Sequence, residues 1–134
     1  MRVSTPPSLY RNVFIVNGGV PETSPSVPGD IRGFDVRTGA LLWTFHVVPR
    51  PGEPGYETWP EGAWERAGGV NAWQGMAVDE DNGIVFAALG SPSNDFWGGE
   101  RHGDNLYGNS VVALDALTGE KLWHQQVIRH DLWD

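Results

Sequence analysis

Gly33-Phe34-Asp35-Val36-Arg37-Thr38-Gly39-Ala40-Leu41-Leu42-Trp43 returns later in the chain as Ala113-Leu114-Asp115-Ala116-Leu117-Thr118-Gly119-Glu120-Lys121-Leu122-Trp123. Asp, Thr, Gly, Leu and Trp fall at the same offsets in both copies. The shared chemistry is that of a β-hairpin turn. The Asp side chain accepts backbone N–H groups across the turn, and Gly takes the positive-φ position of a bulged hairpin. A strand then leads to a Trp, whose large apolar area suits it to packing between repeats. A turn-and-strand unit written twice predicts an array of sheets. A small β-sandwich is the alternative, and it has to produce five matched positions by accident.

Working outward, strands are expected at 12–17, 31–36 and 40–45 in the first unit. In the second they are expected at 74–78, 84–89, 110–114 and 121–126, with Asp79-Glu80-Asp81-Asn82-Gly83 as a further turn. Four consecutive antiparallel strands are the content of one propeller blade. The predicted fold is therefore all-β, with about one and a half β-propeller blades. Residues 8–46 form an incomplete blade lacking its opening strand, 47–73 an inter-blade loop rich in Pro and Gly, and 74–127 a complete blade, with 128–134 following it. Trp43 and Trp123 stand further apart than the roughly 40–45 residues of a simple blade repeat. The excess sits in the 47–70 connection and the 90–109 loop, and loops of such length are more often functional than accidental. A closed propeller needs at least about four blades, so the chain is expected to be a piece of a larger one.

Composition narrows the partners. Among 134 residues there are 18 Gly and 10 Pro, a mixture that suits short strands and elaborate turns. Net charge is −8 and there is no basic run, which makes nucleic acid and anionic membrane surfaces poor partners. The absence of Cys excludes disulfides and thiolate metal sites. No apolar stretch approaches the ~20 residues of a membrane span. Residues 1–7 have no apolar core, so no signal peptide is expected in them.

The repeated Asp-x-x-Thr-Gly-x-x-x-Trp resembles the tryptophan-docking motif of the pyrroloquinoline quinone (PQQ) dehydrogenases, which are eight-bladed propellers. Gly68-Gly69-Val70-Asn71-Ala72-Trp73 is similar to that family's approach to the quinone floor. Gly90-Ser91-Pro92-Ser93-Asn94-Asp95-Phe96-Trp97-Gly98-Gly99 resembles a loop of the membrane-type glucose dehydrogenases, and His130-Asp131-Leu132-Trp133-Asp134 resembles the family's catalytic segment. The resemblance runs in order from Pro7 onward. It implies oxidation of a sugar or alcohol, glucose above all, with PQQ and calcium as cofactors and a quinone-type electron acceptor. It also implies a periplasmic location, with any membrane association made by parts outside this chain. A 134-residue segment lacks most of a cofactor pocket and is expected to be inactive by itself. A propeller acting only as a protein-interaction scaffold is the alternative reading.

The resemblance assigns roles residue by residue. It makes Asp134 the catalytic base, a carboxylate that takes the substrate's hydroxyl proton. Asp131 is its competitor in the same segment, or else a turn or capping carboxylate. Trp73 is the implied quinone platform, since a flat ring gains from stacking on an indole; the plain reading is a Trp that packs between blades. Glu22 stands where the family's metal-binding Glu falls, or is simply a loop acid. Ser91 takes the place of an Asn that many relatives carry, and a hydroxyl is a weaker ligand for a hard cation than an amide carbonyl. His130 can orient Asp134 or a sugar, or pack at a strand end. His102-Gly103-Asp104-Asn105 reads equally as a turn with local side-chain bonding.

Overall fold

The computed structural model describes residues 5–133. Two four-stranded antiparallel sheets carry the fold, each meandering in chain order. The first comprises β1 Ser8–Tyr10, β2 Val13–Asn17, β3 Ile31–Asp35 and β4 Leu41–Phe45; the second comprises β5 Met76–Asp79, β6 Ile84–Ala88, β7 Ser110–Asp115 and β8 Lys121–Gln126. The all-β, partial-propeller expectation holds. The strand count differs: the first sheet has the opening strand that the sequence reading left out. That strand is only three residues long and follows Pro6-Pro7, so it carries no alternation to read.

The repeated turn folds as its chemistry demands. Asp35 Oδ1 accepts the N–H groups of Arg37 and Thr38 at 3.0 and 2.8 Å, and the Thr38 hydroxyl at 2.9 Å. Asp115 Oδ1 accepts Leu117 and Thr118 N–H, both at 2.9 Å, and the Thr118 hydroxyl at 3.1 Å. Gly39 and Gly119 share φ 72°, in the left-handed region that Gly alone enters at little cost. Both hairpins shift register at the same place, between Gly33 and Phe34 and between Ala113 and Leu114. A bulge there increases the local twist.

The sheets pack face to face. Val13, Ile15, Ile31, Trp43 and Phe45 of the first meet Val85, Ala87, Val112 and Leu114 of the second in one buried cluster. At the inner edge the Ser8 hydroxyl donates to Met76 O at 3.0 Å, and the Tyr10 ring lies against Gly83. The connection between the sheets belongs to this core. It holds two short 3₁₀ turns, Tyr56–Thr58 and Ala63–Glu65, and buries Trp59, Ala63, Ala67 and Val70.

Candidate functional site: a cleft on the seam between the sheets

Residues 68–73 cross from the connection to β5 and are stitched by backbone to the start of the 90–109 loop. Val70 N–H donates to Ser91 O at 3.0 Å, Ser93 N–H to Gly68 O at 3.1 Å and Gly90 N–H to Asn71 O at 3.1 Å. Gly69 makes this approach possible, because a Cβ there would lie 2.4 Å from Ser91 O, and its φ is +70°. The same stretch is tied to the first sheet. Gly29 N–H donates to Gly69 O, Asn71 Nδ2 to Gly18 O at 3.2 Å, and Asn17 Nδ2 to Ala72 O at 3.2 Å. The segment therefore spans the seam and is anchored on both sides.

Above it opens a cleft of about 760 Å³, lined by Gly19, Val20, Pro21 and Glu22 from the first unit, Gly69, Asn71 and Trp73 from the crossing segment, and Gly90, Ser91 and Asp95 from the loop. Trp73 is 60% exposed in this cleft, whose lining mixes glycines and apolar residues with Glu22, Asn71, Ser91 and Asp95. Gly90 packs against its edge, where a Cβ would stand 3.3 Å from the ring. Glycines around an open indole leave room for a flat ligand. Glu22 is exposed, and its carboxylate has no partner among the described residues. Asn71 commits its amide nitrogen to Gly18, and its amide oxygen has no partner among the described residues. A carboxylate and an amide oxygen in one cleft are donors that a hard cation prefers. No group of three or more His, Cys, Asp or Glu converges among the described residues. A cation held by the described residues would therefore need amide, hydroxyl or main-chain oxygens beside the carboxylate.

The closing segment is strapped to the far wall of this cleft. Asp131 is 4% exposed. Its Oδ2 accepts the Ser91 hydroxyl and Asn109 Nδ2, both at 2.9 Å, and its Oδ1 accepts Trp133 N–H at 3.1 Å. Asn109 Nδ2 also reaches Ser91 Oγ at 3.0 Å. The buried Arg101 guanidinium donates to Asp131 O at 2.5 Å, to Asn94 O at 3.0 Å and to Asn105 Oδ1 at 2.9 Å. Burial holds the Arg101 pKa below its ordinary value, and the carboxylates of Asp131 and Asp95 oppose that shift without cancelling it.

The structure brings Trp73, Glu22 and Ser91 into one cleft. Ser91 donates its hydroxyl proton to Asp131, so it faces the segment more than a metal. His130 packs: its Nδ1 pairs with Gly103 O at 3.0 Å, and its Nε2 would lie 2.6 Å from a Cβ at Gly98. His102 is exposed, with no partner among the described residues. Asp134 lies outside the described residues. Sequence reasoning missed Asn71, Asp95, Arg101 and Asn109. The first sits inside a quoted motif, but its partner Gly18 is 53 residues away, so spacing gave no signal.

The family model for the glucose/ethanol/alcohol dehydrogenase β-propeller domain with PQQ matches residues 1–134. The quinate/shikimate dehydrogenase (quinone) of Acinetobacter baylyi is 36% identical over 98% of this chain. The quinoprotein glucose dehydrogenase of Escherichia coli is 34% identical over 98%. The chain spans 16% of the length of each. A quinohemoprotein alcohol dehydrogenase from Pseudomonas putida HK5 superposes with a TM-score of 0.80 at 30% identity, covering 96% of this chain and 20% of that one. With a seam-spanning cleft of this build and a family match along its whole length, the chain belongs to the PQQ-dependent dehydrogenases, as part of their β-propeller domain.

Proposed function

We propose that this chain forms part of the quinone site of a dehydrogenase that oxidises a sugar or alcohol, glucose to gluconolactone first among the candidates. The observation that carries the reading is the exposed Trp73 indole, set in a 760 Å³ cleft together with Glu22. A propeller serving only as a scaffold has no use for such an arrangement.

When bound, PQQ supplies the acceptor for the substrate's hydride, and calcium supplies the positive charge that polarises it. Trp73 offers the stacking face, and Gly19, Gly69 and Gly90 keep the space beside it open. Glu22 and the amide oxygen of Asn71 are the oxygen donors for the cation. Asp134 takes the proton released from the substrate hydroxyl. The substrate range is drawn from relatives that act on glucose, alcohols and quinate or shikimate, and the acceptor is quinone-type. The periplasm is the proposed location, from family resemblance alone.

The test uses the full-length gene product containing these residues, prepared without quinone and then given PQQ and calcium. Dye reduction is followed with glucose, ethanol and quinate in turn. We expect reduction that needs both additions and disappears in Asp134→Asn. Absence of dye reduction with every sugar and alcohol tried would overturn the reading.

A further inference from the structure

We infer that Asp131 is a positioning residue, whose buried carboxylate, gripped by Ser91 and Asn109, fixes the path of Leu132 and Trp133 relative to the cleft. For its catalytic half this rests on the dehydrogenase reading above; its structural half does not.

The argument starts from the cost of the arrangement. A carboxylate at 4% exposure is held only where hydrogen bonds replace its water. Asp131 has three. Two come from the 90–109 loop and its exit, Ser91 Oγ and Asn109 Nδ2, and one from Trp133 N–H two residues on. The last of these turns the chain just before Asp134. Ser91 also lines the cleft, so one hydroxyl joins the cleft wall to the segment at 2.9 Å. Arg101 grips the same residue from its backbone side, donating to Asp131 O. Both handles of Asp131, side chain and main chain, are therefore held by one loop. Beyond it Leu132 rests against Gly98, but Trp133 is 84% exposed and has little packing of its own to fix it. The path of Trp133 is thus inherited from Asp131.

Asp131→Asn is the informative substitution. An amide can satisfy Trp133 N–H or the Ser91 and Asn109 donors, but not both sets, since one of its two atoms is itself a donor. The paired exchange Asn109→Asp with Asp131→Asn restores a carboxylate between the same partners and an amide oxygen for Trp133. In the PQQ-loaded, calcium-loaded full-length protein, Asp131→Asn should lower kcat about 10- to 100-fold, the scale of an ångström's misplacement. KM and quinone affinity should stay within about threefold of wild type by the same reasoning. The paired exchange should recover most of kcat. Amide hydrogen exchange at Trp133, whose N–H bonds Asp131, should accelerate about tenfold in Asp131→Asn and return towards wild type in the paired variant. Strands β5 and β6 should be unaffected.

Unchanged exchange at Trp133 would overturn the proposal. So would a kcat equal to wild type, or a loss of kcat matched by equal losses of quinone affinity and thermal stability. If Asp131→Asn does not fold, Ser91→Ala carries the exchange test, because it removes one donor and leaves the charge bonded. A wild-type protein that reduces no dye sinks the dehydrogenase reading, and the exchange result then still decides whether Asp131 positions the segment.

Discussion

The Trp43 indole of the first sheet lies against Gly119 of the second, so close that a Cβ on Gly119 would stand 2.5 Å from the ring's Cε3. Across its own hairpin it lies over Gly33, where a Cβ would stand 2.3 Å away. One Trp thus locks its own strand pair and the turn of the next sheet. Gly39 offers an internal control, with the same φ of +72° and nothing within 4 Å. We expect Gly39→Ala to cost about 1 kcal/mol, the backbone strain alone. Gly119→Ala should cost about 2–4 kcal/mol, since overpacking adds to that strain. Urea denaturation midpoints of the two variants check this. Equal losses would mean that Trp43 moves aside freely.

Acid should weaken the turns. Hydrogen bonds from the Thr38 backbone and side chain, and from Asn12, hold the Asp35 carboxyl below its ordinary range. Bonds from the Asn82 side chain and backbone do the same for Asp79. For Asp115 partial burial raises the pKa, but the Thr118 and Leu117 bonds together outweigh it. A depressed native pKa stabilises the fold above the unfolded value, about 3.9, and that contribution is lost as pH falls through the native one. Asp30 acts in the opposite sense, because desolvation raises its pKa against His46 and Arg32. Thermal unfolding of wild type and Asp35→Asn between pH 7 and pH 2 should therefore converge at the acid end. A constant gap would count against the turn.

Trp73→Ala should weaken quinone binding about tenfold, the equivalent of a stacking contact of ~1.4 kcal/mol. Its effect on the melting temperature should be small, because the indole is already 60% exposed. Quinone titration of the full-length protein, followed by fluorescence quenching, separates the two effects. A large drop in stability with unchanged affinity would make Trp73 a packing residue.

Glu22→Gln should raise the calcium concentration needed for quinone retention by about tenfold, since a neutral amide gives up the charge that a hard cation seeks. Stability without calcium should not change, as Glu22 is exposed and unpaired among the described residues. Chelation should then release the quinone from wild type and variant alike. Identical calcium dependence in both would place the cation elsewhere.

What could be read from the sequence was what is local. Asp35, Thr38 and Gly39 bond within five residues, so their spacing is their structure. The connection at 47–70 looked like irregular chain because Pro and Gly announce turns without saying what those turns pack on. Trp59 donates its indole N–H to Leu106 O, and that partner is 47 residues away. Asp131 read as a capping carboxylate or a rival base. The cap is there at Trp133, but the grip of Ser91 crosses 40 residues and leaves no trace in spacing. The one strand passed over, β1, is too short to show a period.

The crossing segment at 68–73 belongs to neither sheet alone: Asn71 holds Gly18 on one side and Gly90 on the other. A molecule resting on that segment touches both halves of the joint at once. It can be retained only while the two sheets keep their mutual angle, so filling the cleft acts as a rivet, and the joint's resistance to being prised apart rises with ligand concentration.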